Sequence, residues 1–338
     1  MTYRAALALA SGLVVPGCST VEGQDDADNS VTIGGMSGDD GGTSNGTDDE
    51  LDTSDPGASS GPATTGEGAD DGSEGSDGED EGLDGDSTGE RPPGTGLWAP
   101  QPGVTWQWQL TGAIDTSLNV DVYDIDLFDV GIDLIQQLHT DGRIVICYFS
   151  AGSYEEWRTD ADQFPDTALG DPLDNWPGER WPDHRSPEVR EIMAARLDLA
   201  VEKGCDAVEP DNVDGYANPN GVGLTGEDQL DYNRWLAQEA HSRGLSVGLK
   251  NDLDQLEALA GDFDWALNEE CMQFEECALL QAPFIAAGKA VFHVEYVDEN
   301  DQGAALAEQI CNNANELQFS TIVKQWDLGP FGIPCWPQ

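Results

Sequence analysis

The chain has 338 residues, 38% of them hydrophobic, and sets 66 Asp+Glu against 14 Lys+Arg for a formal net charge of −52. That balance excludes binding nucleic acid or an anionic membrane surface through charge, because phosphates are repelled and few cations exist to displace their counterions. The charge is uneven: residues 19 to 96 hold 22 acids and one Arg, net −21, whereas residues 97 to 338 hold 44 acids and 12 bases, net −32.

The first 18 residues, MTYRAALALASGLVVPGC, carry one Arg, an apolar run from Ala5 to Val15 and a small-residue site. The run is too short to span a bilayer and reads as a secretory signal. Val15, Pro16, Gly17 and Cys18 resemble a bacterial lipobox, in which the Cys is lipidated and becomes the mature N-terminus. The expectation is an exported chain whose only membrane contact is a lipid anchor on Cys18 at the cell surface or outer membrane, with ordinary secretion as the alternative.

Residues 19 to 96 are dominated by Gly, Ser, Thr and Asp, and no Trp, Tyr or Phe occurs between Cys18 and Trp98. Such a segment buries too little apolar surface to offset the entropy of ordering, and its charges repel one another, so a disordered acidic spacer is expected. Runs such as DGSEGSDGEDEG could attract Ca²⁺, yet they have neither EF-hand spacing nor a fixed repeat. Residues 97 to 338 contain all ten Trp and fit one large domain, taken as a monomer.

From Trp98 onward, short apolar, β-branched or aromatic runs alternate with longer helical stretches. Strands are predicted at 106–110, 122–128, 144–150, 207–212, 246–251, 265–270, 290–296 and 321–327. Ser186, Pro187 and Glu188 open a helix that ends near Lys203 and Gly204, and Thr225 to Asp228 opens another that runs to Arg243 and Gly244. Further helices are predicted at about 131–140, 252–260, 277–287 and 301–316. Eight strands joined by helices imply parallel pairing and a (β/α)₈ barrel, the TIM-type α/β fold. An open doubly wound sheet is the alternative, but no GxGxxG turn follows the first strand.

Six cysteines follow Cys18, an even number in an exported chain, so disulfides are expected. Local spacing favours Cys271 with Cys277 and Cys311 with Cys335, leaving Cys147 with Cys205, although six cysteines allow 15 pairings. No CxxC occurs, and His139, His184, His241 and His293 are scattered without ligand spacing, so no metal or other cofactor is expected.

Active sites in barrels of this kind sit at the carboxyl ends of the strands. There this chain places YFSAGSYE, EPDNVDGY, LKND, NEE, VEY and QWD. Glycoside hydrolysis needs two carboxyl groups across one bond, one to protonate the leaving oxygen and one to attack or to activate water. Asp211 and Glu269 end the fourth and sixth strands, with Glu209, Asp214, Glu270 and Glu295 as close competitors. Glu209 and Asp211 are two apart and share a strand face. Asp211 could instead cap the turn that follows it. Trp106, Trp108, Tyr148, Tyr154, Trp176, Trp181, Tyr216, Tyr296 and Trp326 suit a sugar cleft, because pyranose rings stack on aromatic faces. Trp157, Trp235 and Trp265 read equally well as core.

The runs CYFSAGSYEEWR (Cys147 to Arg158), WPGERW (Trp176 to Trp181), GCDAVEPDNVDGY (Gly204 to Tyr216), GLSVGLKND (Gly244 to Asp252), FDWALNEEC (Phe263 to Cys271) and AVFHVEY (Ala290 to Tyr296) occur in order. Together they resemble the endo-α-1,4-polygalactosaminidases of glycoside hydrolase family 114, over roughly Trp106 to Trp326. The resemblance implies a (β/α)₈ barrel that cuts inside chains of α-1,4-linked galactosamine, a partly deacetylated, cationic exopolysaccharide of biofilms. By motif its catalytic carboxylates fall on Asp211 and Glu269. The chain departs from the pattern where NEEC replaces NEQC, setting Glu270 beside Glu269, and at His184 and His293.

Asp124, Tyr148, Glu209, Asn212, Tyr216, Lys250, Asn251, Glu270, Glu295, Tyr296 and Trp326 are expected to line the subsites, with an ion pair as the alternative role for Lys250. A domain at −32 attracts a polymer of ammonium-bearing sugars, although acidic surfaces also keep exported proteins soluble. The competing function is a surface-tethered polysaccharide-binding protein on an inactive barrel, which would have no need of both strand-end acids.

Overall fold

The computed structural model describes residues 96–336. The expected signal at 1–18, Cys18 and the acidic spacer up to residue 95 lie outside the described residues. In chain order the strands are β1 (Trp106–Gln109), β2 (Val122–Asp126), β3 (Ile144–Ser150), β4 (Tyr154–Glu155), β5 (Leu169–Pro172), β6 (Glu179–Pro182), β7 (Ala207–Asp211), β8 (Ser246–Lys250), β9 (Trp265–Glu269), β10 (Val291–Val297), β11 (Ser320–Gln325) and β12 (Ile333–Pro334). The helices are α1 (Ile132–Thr140), α2 (Pro187–Lys203), α3 (Gly226–Ser242), α4 (Leu256–Leu259) and α5 (Gly303–Glu316).

Eight strands pair in parallel in the order β1-β2-β3-β7-β8-β9-β10-β11, and β12 adds antiparallel to β11. The sheet curls into the expected barrel. Its seam is bridged singly rather than by a ladder: the Leu110 and Thr111 amides donate to Leu328 O at 2.9 and 3.3 Å, and Trp106 Nε1 donates to Ser320 O at 2.8 Å. Side chains alternate along each strand. Trp106, Trp108, Val122, Ile146, Ala207, Trp265, Leu267, Phe292, Val294 and Ile322 fill the interior. Tyr123, Ile125, Val145, Phe149, Val208, Val247 and Leu249 face outward against Ile135, Leu138, Ile192, Leu197, Tyr232 and Leu236 of the helices. Each buried ring removes roughly 150–250 Å² from water, about 4 to 6 kcal/mol of transfer free energy as an upper bound, so the barrel floor is its most strongly packed part. Gly248 is required there, because a Cβ would stand 2.2 Å from the Trp265 ring.

Local signals placed the long helices. Thr225 and Asp228 form a capping box at the start of α3, and α2 begins with Pro187 and ends at Gly204 in the left-handed conformation (φ 87°). The helix expected at 277–287 is replaced by two 3₁₀ turns, Cys277–Leu280 and Ile285–Ala287. Pro283 lies between them, lacks an amide donor and disfavours helix at the residue before it, while the Cys271–Cys277 disulfide pins the entry. The helix expected at 252–260 shrinks to a 3₁₀ turn, Leu253–Gln255, followed by the single turn of α4. A three-stranded antiparallel sheet, β4-β6-β5, is inserted between β3 and α2, where the sequence predicts no element.

Both disulfides favoured by spacing, Cys271–Cys277 and Cys311–Cys335, are formed, and so is the remaining pair, Cys147–Cys205. Cys271, Cys277 and His293 form the one metal-sized cluster among the described residues, and its two sulfurs are joined to each other. No helix among the described residues is long and apolar enough to cross a membrane.

Candidate active site

A cavity of about 550 Å³ opens at the carboxyl ends of the barrel strands. Asp211 of β7, Lys250 of β8, Glu269 of β9, Tyr148 of β3, Tyr296 of β10 and Trp326 beyond β11 reach it, with Trp108 at its base. Three successive strands end in a left-handed residue: Asn212 (φ 60°) after β7, Asn251 (φ 47°) after β8 and Glu270 (φ 61°) after β9. Positive φ is costly for residues other than glycine, of order 1–3 kcal/mol each. The reversal breaks strict alternation, so Asp211 with Asn212, Lys250 with Asn251 and Glu269 with Glu270 all line the cavity. Asn251 fastens the next strand: its Oδ1 accepts from the Glu269 amide (3.0 Å) and its Nδ2 donates to Glu269 Oε2 (3.0 Å).

Lys250 is the hub. Its Nζ lies 3.0 Å from Glu209 Oε1, 3.1 Å from Asp211 Oδ1 and 3.4 Å from Glu269 Oε2, and 4.7 Å from the Trp108 ring centroid. Only 2% of the residue is exposed, and burial alone would lower its pKa. Asp211, Glu209 and Glu269 together outweigh that and hold the ammonium well above its ordinary pKa. Tyr148 OH donates to Asp211 Oδ2 at 3.1 Å, and Tyr296 OH donates to Glu269 Oε1. Burial, and then the facing carboxylate, raises both phenols far above their usual value, so they act as fixed donors. The Tyr296 ring stacks on Trp326 with centroids 4.0 Å apart.

Of the residues expected to line the subsites, Tyr148, Asn212, Lys250, Asn251, Glu270, Tyr296 and Trp326 line this cavity, together with Asp211 and Glu269. Four do not. Asp124 and Glu209 are wholly buried below the cavity, both 0% exposed. Glu295 is turned to the other face of β10 from Tyr296, where Oε1 accepts from the Met272 amide (2.8 Å) and pairs with His293 Nε2 (3.1 Å). Adjacent residues within a regular strand cannot both point inward. Tyr216 sits in the turn after β7 and donates to Asp252 Oδ1 (3.2 Å), away from the cavity. Among the aromatics, Trp106 is floor, Tyr154 packs edge-on against Phe164, and Trp157 is 54% exposed rather than core.

Glu179 was missed. It enters from β6 of the inserted sheet, not from a barrel strand end, and its Oε2 accepts from Ser153 Oγ at 2.6 Å. The WPGERW run that carries it was the available signal. Burial pushes Glu179 up to about 7, Glu270 to about 7, Asp252 to about 7 and Asp214 to about 6. An unfolded chain releases these protons near pH 4, so from roughly pH 4 to 7 the folded state binds more protons and stability falls as pH rises. His184 opposes this: burial lowers it from 6.5 to about 4, which destabilises the fold as pH drops through that range. The four acids outweigh His184, and Lys324, which burial lowers from 10.5 to about 7, opposes them only from about pH 7 upward. The thermal midpoint is expected to fall between about pH 5.5 and 7.5 in a calorimetric series, and a midpoint that climbs over that interval contradicts the assignment.

A parallel barrel whose mouth sets paired carboxylates and aromatic rings around a sugar-sized cavity defines a glycoside hydrolase. The sequence model of glycoside-hydrolase family GH114 matches residues 88–336, and the chain belongs to that family. The structure of Ega3 from Aspergillus fumigatus, solved in complex with galactosamine, is 44% identical, with a TM-score of 0.68 over 72% of this chain and 99% of that one. The glycoside hydrolase domain of PelA from Pseudomonas aeruginosa shares the fold at 15% identity, with a TM-score of 0.54 over 69% of this chain and 98% of that one. No curated protein matches the chain. The protein is therefore a glycosidase.

Proposed function

We propose that the domain cleaves internal α-1,4 bonds of a galactosamine polymer with retention of configuration, using Asp211 as nucleophile and Glu269 as acid and then base. One observation carries this reading: the two carboxylates come from different strands to a single ammonium, at 3.1 and 3.4 Å. Oxygens so placed are no further apart than the lower end of the inverting range of roughly 6.5–9.5 Å, which favours direct attack over an interposed water. Asp211 accepts from Lys250, Tyr148 and the Asn212 amide (2.7 Å), donors that stabilise an attacking anion.

In the first step an Asp211 oxygen bonds to the anomeric carbon while Glu269 gives its proton to the departing glycosidic oxygen. In the second, Glu269 takes a proton from water, whose oxygen bonds to the same carbon and frees Asp211. Among the described residues no Lys or Arg forms an ion pair with Glu179, Asp214 or Glu270, and each lines the cavity. A sugar ammonium supplies the missing counter-charge. Trp176 and Phe274, 55% and 45% exposed on the rim, offer stacking faces to sugars further along the polymer. The 44% identity to Ega3, whose structure holds galactosamine, supports the choice of sugar.

The test is to incubate the full chain with galactosamine-containing and glucosamine-containing polymers side by side, reading oligosaccharides by mass spectrometry and the first-formed anomer by proton NMR. Oligomers from the galactosamine polymer alone, released as the α anomer, are expected. Absence of those oligomers refutes the substrate, and first-formed β anomer refutes Asp211 as nucleophile.

A further inference from the structure

Beneath the cavity lies an acid that no step above uses. Asp124 projects into the barrel from β2 and is 0% exposed; its carboxyl faces that of Glu209, an acceptor like itself, and neither of its oxygens meets a hydrogen-bond donor. Glu209 Oε2, equally buried, also lacks one, while Glu209 Oε1 accepts from Lys250 Nζ at 3.0 Å. Three bare acceptor oxygens in a dry floor are untenable if both groups are ionised, since each unsatisfied acceptor costs about 1–3 kcal/mol and a bare charge more. The charge balance agrees. Glu209, Asp211 and Glu269 already share the one ammonium of Lys250 at 3.0–3.4 Å, and among the described residues no other cation pairs with them or with Asp124.

We infer that Asp124 and Glu209 share one proton, Asp124 as its donor, and that this carboxyl–carboxylate pair is a positioning unit fixing Lys250 between Asp211 and Glu269. A protonated Asp124 satisfies Glu209 Oε2, leaves Glu209 charged toward Lys250 and lowers the floor's net charge by one. Burial, followed by the neighbouring Glu209, raises Asp124 well above an ordinary carboxyl, and Asp211 adds to this from β7 while Lys250 opposes it from β8. Tyr148 on β3 and Tyr296 on β10 are committed to Asp211 and Glu269 and give the pair nothing. The role assigned to Lys250 rests on the proposed function, whereas the shared proton does not.

Two measurements on the full chain test it. Carbon-13 NMR of carboxyl-labelled protein is expected to show Asp124 protonated at pH 7, and needs no substrate, so it fails or succeeds apart from the identity of the polymer. An ionised Asp124 at pH 7 overturns the inference. In kinetics, Asp124→Ala bares Glu209 Oε2, draws a proton onto Glu209 and loosens Lys250. It is expected to lower kcat by about 10- to 100-fold, the scale of an ångström-sized misplacement, and to move the acid limb of kcat/KM to higher pH. Asp124→Asn keeps a donor toward Glu209 and is expected to restore most of that kcat and the original pH profile. A merely structural role would lower the thermal midpoint in both variants and leave the pH limb in place; that outcome, or an Asn variant as impaired as the Ala variant, overturns the positioning role.

Discussion

Asp211→Asn and Glu269→Gln are each expected to slow release of reducing ends from polygalactosamine by about 10²- to 10⁴-fold while polymer binding stays measurable. Asparagine cannot form the bond to the anomeric carbon, and glutamine cannot deliver a proton to the leaving oxygen. Both substitutions keep size and the donors around the site: Tyr148 and Lys250 on one side, Asn251 and Tyr296 on the other. The cavity is therefore retained. The two variants separate on a substrate with an activated aryl leaving group. That group departs without protonation, so Glu269→Gln regains its first step and Asp211→Asn does not. Turnover unchanged in both variants removes the site altogether, and the opposite pattern on the aryl substrate exchanges the two roles.

Lys250→Met is expected to be the most damaging single change in the domain. It deletes the one cation among the described residues that contacts Glu209, Asp211 and Glu269, and leaves those three acids around an apolar side chain. Breaking one side of a buried ion pair costs about 3–5 kcal/mol, which in a domain of this size lowers the thermal midpoint by roughly 10 °C. Without the ammonium the facing carboxyls bind protons more tightly, so the loss is larger at pH 7.5 than at pH 5. Asp211 and Glu269 also lose the group that holds them in register, and kcat should fall by at least about 10³-fold as attack and proton delivery are impaired together. Calorimetry at the two pH values with turnover on the polymer checks both parts. A variant that melts and turns over like the parent removes Lys250 from the centre of the site.

Several features needed nothing beyond the linear order of residues. Strand runs alternating with capped helical stretches suffice for a barrel, because period-two and period-3.6 patterns with Ser186–Pro187 and Thr225–Asp228 caps are local signals. Asp211 and Glu269 end strands, and a strand end in this fold faces the mouth whatever its neighbours are. Cysteines 6 and 24 residues apart find each other largely because short loops close easily. Depth and facing are another matter. The ladder pairs Asp124 with Ile146 and Ile146 with Ala207, two residues short of Glu209, so Asp124 becomes floor rather than subsite. Tyr296 faces inward and Glu295 outward because Val294 and Phe292 are already committed to the interior. Glu179 reaches the cavity from a small sheet in which it pairs with Glu155 and Arg180 pairs with Tyr154, across a long loop of the chain. Register, parity and inserted walls are set by contacts between residues distant in the chain, and a sequence read in order carries local preference but no record of which distant partner completes a pair.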